Sequence, residues 1–150
     1  MHMQQPPCRN FPFQLEGPSG LRVQVNANGS IRRMDYRDIM LNLFLGTEVE
    51  GGPANIFLRR RTESIEAIPL LGPRSPATVR VGKRSMTVKG HWRGIDFRVS
   101  LLLAEYFPAW FWHVMLENTD RVAGTVDLVY AQDLAITDYG AIRLNEYYVS

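Results

Sequence analysis

Apolar and polar residues alternate with a period of two along most of the chain, the pattern of half-buried β-strands. Leu21, Val23 and Val25 alternate with Arg22 and Gln24, and Asn28-Gly29 then supplies a hairpin turn before Ile31. Residues 78–81 and 86–88 read as two strands joined by Gly82-Lys83-Arg84-Ser85, a second tight hairpin. Phe97, Val99, Leu101 and Leu103 share one face of a longer strand, with Arg98 and Ser100 on the other. After a break at Tyr106-Phe107-Pro108, residues 109–117 resume as strand. Trp110, Trp112, Val114 and Leu116 lie on one side of it, and Phe111, His113 and Met115 on the other. Residues 126–131 and 142–149 supply two more. Turn signals recur every 8–12 residues or so, the spacing of an all-β sandwich. The pattern predicts an all-β fold, an antiparallel β-sandwich in one domain.

Helix has little room. Residues 36–45 predict at most one short helix, because Ile39, Leu43 and Phe44 have some helical spacing, yet residues 40–44 serve equally as strand. Residues 109–116 are apolar on both faces, so the expectation is a central strand covered on both sides or part of an interface, not an exposed edge. The chain stops at Glu146-Tyr147-Tyr148-Val149-Ser150, mid-strand by composition, which leads us to expect a longer polypeptide cut short there. Residues 1–16 are expected to lie outside the fold, disordered or in part a cloning remnant (His2-Met3), with the sandwich running over 17–150.

Composition narrows the function classes. The 150 residues can bury roughly 68–70% of the surface an unfolded chain exposes, enough for a core without staples. Apolar residues make up 45% and charged residues 21%, which excludes a disordered or collagen-like chain. A net charge of +2 gives no argument for a nucleic-acid partner. Lys83 and Lys89 are the only lysines among 17 basic residues, a skew that reads as codon bias before chemistry. Cys8 is the only cysteine, so an intrachain disulfide and a cysteine metal site are both excluded. The first ten residues lack the apolar run of a secretory signal, and no apolar run approaches the ~20 residues of a spanning helix, so a cytoplasmic location is expected. Asn28-Gly29-Ser30 matches a glycosylation sequon but reads as a turn.

Candidate chemistry is sparse. His2, His91 and His113 show no metal-ligand spacing, and His113 reads as a packed core histidine. The carboxylate pairs that might serve glycoside chemistry are Asp35 with Asp38, Glu48 with Glu50, and Asp133 with Asp138; each sits near a turn, where acidic residues serve solvation and backbone bonding. Arg59-Arg60-Arg61 reads as a solvated edge strand, since alternate members point to opposite faces. Trp110 and Trp112 present side by side and serve either as core or as a sugar-stacking pair. Trp92, between His91 and Arg93 in an expected loop, is the better exposed aromatic.

Two stretches carry a family resemblance: residues 29–60, which include Glu50-Gly51-Gly52-Pro53-Ala54-Asn55, and residues 138–150, which include Asn145-Glu146-Tyr147-Tyr148. With residues 104–120 between them, they resemble the N-terminal β-sandwich region of the cellobiose phosphorylase-like family. The branch is that of β-1,2-oligoglucan phosphorylases and the phosphorylase-like portion of cyclic β-1,2-glucan synthases. The resemblance implies a sandwich of the supersandwich, galactose mutarotase type within a large enzyme that cleaves a β-glucosidic bond with inorganic phosphate and inversion. It implies no other cofactor. The acid and the phosphate pocket of that family lie in a helical barrel, so no catalytic residue carries over to this sequence. What the resemblance implies is a part in assembly, including homodimers, and a loop at residues 46–55 that would lend Glu50, Gly51, Gly52 and Asn55 to the rim of a saccharide site; a tight structural bend with no ligand is the alternative reading of that loop. The implied partners are a β-glucan or gluco-oligosaccharide and the remainder of the enzyme, with no nucleic acid and no membrane span. Two alternatives stand beside this one: a stand-alone carbohydrate-binding module using Trp92 and one of Trp110 or Trp112, and a protein-interaction domain docking through residues 109–116.

Overall fold

Twelve strands, most of which bury and expose side chains of alternate parity in turn, make up the computed structural model, which describes residues 12–138, 140 and 141. The strands are β1 (Phe13–Glu16), β2 (Leu21–Val25), β3 (Ile31–Tyr36), β4 (Ile39–Met40), β5 (Ala54–Arg61), β6 (Ile65–Pro69), β7 (Thr78–Val81), β8 (Ser85–Trp92), β9 (Ile95–Leu103), β10 (Trp110–Asn118), β11 (Thr125–Gln132) and β12 (Thr137–Asp138). They form three antiparallel sheets in the orders β1-β2-β3-β4-β12, β10-β9-β8-β7 and β11-β5-β6. Each sheet turns one face to a shared core. Leu15, Leu21, Val23, Val25, Ile31 and Met34 come from the first, Ile56 and Leu58 from the third, and Met86, Val88, Phe97, Val99 and Leu101 from the second. Each such side chain contributes about 1.5–3 kcal/mol by leaving water. The result is the all-β sandwich that the alternation predicts.

The turns follow local chemistry. Gly29, at φ +80°, closes the β2–β3 hairpin, with its N–H donating to the Asn26 carbonyl at 3.0 Å. A Cβ there would meet Val79 Cγ2 at 3.1 Å, so the hairpin tip seats directly on the second sheet. Gly82 N–H donates to the Ser85 carbonyl at 2.7 Å, forming the second expected hairpin. Arg93 and Gly94, at φ 50° and 75°, place two left-handed residues between β8 and β9, as a two-residue hairpin turn requires.

Several expectations are corrected. Residues 36–45 form no helix. Arg37, at φ 54°, turns the chain from β3 into β4, and the Asn42 side chain then accepts from Met34 N–H at 2.6 Å and donates to the Phe44 carbonyl at 2.5 Å, taking backbone groups that a helix would need. Phe13–Glu16, assigned from sequence to the N-terminal segment, pair with β2. β5, with Arg59-Arg60-Arg61 at its end, is the central strand of its sheet and not an edge. Among the described residues β10 is the edge of its sheet and not a covered central strand: its inner row is half-buried, while Phe111 and Met115 on the outer row are 58% and 52% exposed. His113 lies in that exposed row, opposite Ser100, and is not a core histidine. The strand expected at 142–149, along with Cys8 and His2, lies outside the described residues.

Candidate functional site

Three polar side chains of the β2–β3 hairpin hold the loop at residues 41–53 against the sandwich. Asn28 Nδ2 donates to the Glu48 carbonyl at 2.7 Å, Ser30 Oγ donates to the Thr47 carbonyl at 3.1 Å, and Asn26 Nδ2 reaches the Gly46 carbonyl at 3.4 Å. Gly46 and Gly52 pass so close to the Ile31 carbonyl that a Cβ would lie 2.1 Å and 2.3 Å from its oxygen. Gly52 also adopts φ +75°. Only glycine fits either place.

Within this loop the Glu50 carboxylate accepts from the Thr47 hydroxyl, Oγ1, at 3.1 Å, a side-chain bond inside the loop. Asn55 is 4% exposed. Its Nδ2 donates to the Gly51 and Leu71 carbonyls at 3.3 and 3.1 Å, and its Oδ1 accepts from the N–H groups of Ile56 and Leu71 at 2.8 and 3.3 Å. That exhausts the hydrogen-bonding capacity of the amide. Asn55 therefore fastens the loop to the 70–72 bend.

Beside the loop lies an open hollow of about 360 Å³ lined by Phe44, Gly51, Gly52, Asn55, Gln132 and Asp133, among others. Asp133 Oδ2 accepts from the N–H groups of Leu43 and Phe44 at 2.7 and 3.2 Å, fixing Phe44 half-exposed at the edge. A hydrogen-bonded relay leads in from β10: Trp112 Nε1 donates to Tyr130 Oη at 3.2 Å, and Tyr130 Oη donates to Gln132 Oε1 at 2.5 Å. Glycine backbone, an aromatic edge and a carboxylate whose Oδ2 already accepts from two backbone N–H groups line the hollow.

The structure brings Glu50, Gly51, Gly52 and Asn55 together and leaves Trp92 apart. Trp92 ends β8 instead of lying in a loop, and it is half-buried on the core-facing side. The adjacent Arg93 carbonyl accepts from Arg60 at 3.1 Å. Asn55 and Arg60 are five residues apart on β5, so the two places are about 17 Å apart along that strand. Trp110 and Trp112 also pack half-buried against the core.

Four of the six carboxylates considered for catalysis have structural occupations, Glu50 and Asp133 as described above. Asp35 is buried and paired with Arg33 Nε at 2.7 Å, and Asp138 accepts from Ala141 N–H at 2.8 Å. Among the described residues no group of three or more His, Cys, Asp or Glu is placed to hold a metal ion. Arg59 pairs with Asp127, where the guanidinium hydrogen bonds hold the Asp127 carboxyl at about 2, below its ordinary 3.8, and the aspartate raises Arg59 in return. That pair is a cross-strand clamp. Sequence reasoning missed the parts played by Phe44 and Gln132, because both belong to the hollow only through contacts between loops distant in the chain.

Comparison with known proteins gives the setting. Residues 24–150 match the family described as SOGP N-terminal domain. A 1,2-beta-oligoglucan phosphorylase of Listeria innocua serovar 6a is 30% identical over 126 residues, which cover 82% of this chain. The chain spans only 11% of that relative's length. No helix among the described residues is long and apolar enough to cross a membrane. On the match over residues 24–150, this chain belongs to the SOGP N-terminal domain family.

Proposed function

We propose that this chain is the non-catalytic N-terminal sandwich of a larger, cytoplasmic glycoside phosphorylase that acts on β-glucan with inorganic phosphate as co-substrate. It supports the assembly of that enzyme and lends the loop at residues 46–55 to the rim of the saccharide site. The observations that carry this reading are the match to a family described as an N-terminal domain and the similarity to an oligoglucan phosphorylase across most of this chain and a small part of that protein. The chemistry agrees with it: Asp35, Asp127, Asp133 and Asp138 are all engaged in holding the fold. The half-buried, core-facing placement of Trp92 favours a supporting role over a stand-alone module that stacks sugar on that ring.

The test is phosphorolysis. Pure chain incubated with β-1,2-gluco-oligosaccharide and phosphate is expected to release no glucose 1-phosphate, and release would overturn the non-catalytic reading. In the longer enzyme, Glu50→Ala and Phe44→Ala are expected to raise KM with kcat little changed, the signature of lost uniform binding. Unchanged KM in both would remove the rim role.

A further inference from the structure

Arg60 occupies a core-facing position. It follows Ala54, Ile56 and Leu58 in the inward row of β5, while Arg59 and Arg61 turn outward to Asp127. Its Nη1 donates to the Arg93 carbonyl, and Arg60 lines a cavity of about 180 Å³. Ile95, Leu116, Val122 and Val126 form apolar walls, and Asp120 lines the same space. The segment carrying Asp120 is laced to the β8–β9 turn: Thr119 N–H and Oγ1 both donate to the Gly94 carbonyl, at 2.8 and 2.9 Å. A Cβ on Gly94 would lie 2.1 Å from the Asp120 carboxylate, so the bare glycine is what lets this carboxylate sit there. Among the described residues no ion pair engages Arg60 or Asp120.

The charges select the ligand. Two guanidinium groups line the cavity, Arg60 and Arg93; Asp120 in the same lining balances the first, and Glu66 pairs with the second at 2.8 Å. A phosphate or sugar acid would bring a second negative charge up to the Asp120 carboxylate, so an anion is the wrong guest. A neutral polyol is the right one, because one hydroxyl accepts from a guanidinium while its neighbour donates to a carboxylate. The apolar walls match the C–H faces of a sugar ring. An apolar cavity of ~150 Å³ holds one six-membered ring, so the space takes one ring and not two. We propose that this cavity binds a single glucosyl residue of a β-glucan, gripped by Arg60 and Asp120. The choice of glucose rests on the proposed glucan function; the choice of a neutral pyranose rests on the cavity alone.

The test is titration of the ¹⁵N-labelled 150-residue chain with methyl β-D-glucoside, and separately with inorganic phosphate, followed by amide shifts. Expected are saturable shifts confined to the neighbourhood of Arg60, Ile95, Asp120 and Val122 with the glucoside, and none there with phosphate. Losing a hydrogen bond to a charged group weakens binding about tenfold or more, so Arg60→Ala and Asp120→Asn are each expected to do so. Val122→Trp, at an exposed position on the mouth, keeps the fold and is expected to abolish the shifts. Absent or scattered glucoside shifts, shifts that survive all three substitutions, or matching shifts with phosphate would overturn the proposal. None of these bears on phosphorolysis, so the proposed function stands or falls separately.

Discussion

Arg59 grips Asp127 with two parallel hydrogen bonds, Nε to Oδ1 at 2.7 Å and Nη2 to Oδ2 at 2.8 Å, directly across the β5–β11 register. Arg61, two residues on and on the same face, adds a third bond at 3.0 Å to Oδ2. One carboxylate thus holds two guanidinium groups that would otherwise repel, and the arrangement ties β11, an outer strand, to its neighbour.

This clamp predicts a pH dependence. The Asp127 carboxyl titrates at about 2 in the fold, against 3.8 ordinarily, chiefly because of the Arg59 hydrogen bonds. A carboxyl lowered by folding stabilises the native state above its unfolded pKa, and that contribution is lost as the pH falls through the folded value. Asp127→Asn is therefore expected to lower the urea midpoint at neutral pH, and the gap to the parent protein should narrow as the pH drops from about 4 to 2. A gap that stays constant over that interval would show that the pair contributes nothing through its charge.

Gly51 and Gly52 are adjacent and alike in sequence but not in the fold. Gly52 sits at φ +75° with Ile31 backbone where a Cβ would go, whereas a Cβ on Gly51 meets only Asn55 Nδ2, at 3.5 Å. A non-glycine residue held in the left-handed region costs about 1–3 kcal/mol, before the clash is counted. Gly52→Ala is expected to destabilise by at least that much, and Gly51→Ala to stay within about 0.5 kcal/mol. Chemical denaturation of the two variants decides it, and equal effects would refute the loop geometry.

Local chemistry was the legible part of this fold. Asn28-Gly29 and residues 82–85 each mark a turn by residue type, β9 alternates without interruption, and the outward parity of Arg59 and Arg61 follows from strand geometry alone. Strand order was not legible. A pattern shows which faces of β10 are apolar but not that β10 ends its sheet, because edge position depends on which distant strands pair. Asn55 was hidden for the same reason: whether its amide meets a ligand or backbone is decided by Leu71, sixteen residues away. For Trp92 the signal was present and misread. Met86, Val88, Gly90 and Trp92 share one parity on β8, but Lys89-Gly90 resembles a strand break.

What rescues Gly90 in that strand is the ring opposite it. Gly90 pairs with Phe97, and a Cβ added to it would lie 2.5 Å from Phe97 Cζ. The ring covers the bare backbone, so the glycine is required by packing. Gly90→Ala is expected to cost about 1–3 kcal/mol through overpacking, and Phe97→Leu in the same chain should recover part of the loss despite removing core volume. A double-mutant cycle in urea measures the coupling. Simple additivity would mean the ring does not occupy that space.

The outer row of β10 makes the last prediction. Phe111 and Met115 stand exposed on an edge strand of nine residues, and Leu102, 42% exposed, lies beside Phe111 on β9. An exposed apolar edge with no proline, lysine or bulge on it invites pairing with another chain. Between Trp110 and Leu116 the only titratable side chain is His113, so charge gives little protection. Because these side chains are more than half exposed, replacing them removes little burial. Phe111→Thr with Met115→Lys is expected to leave stability within about 0.5 kcal/mol per site while raising the concentration at which light scattering detects association. A loss of about 2 kcal/mol or more, the scale of a deleted core side chain, would instead place both residues in a packed environment. If association is unchanged, β10 is not where copies of this chain meet, and the exposed row of β11 (Leu128 and Tyr130, at 42% and 48%) becomes the place to substitute next.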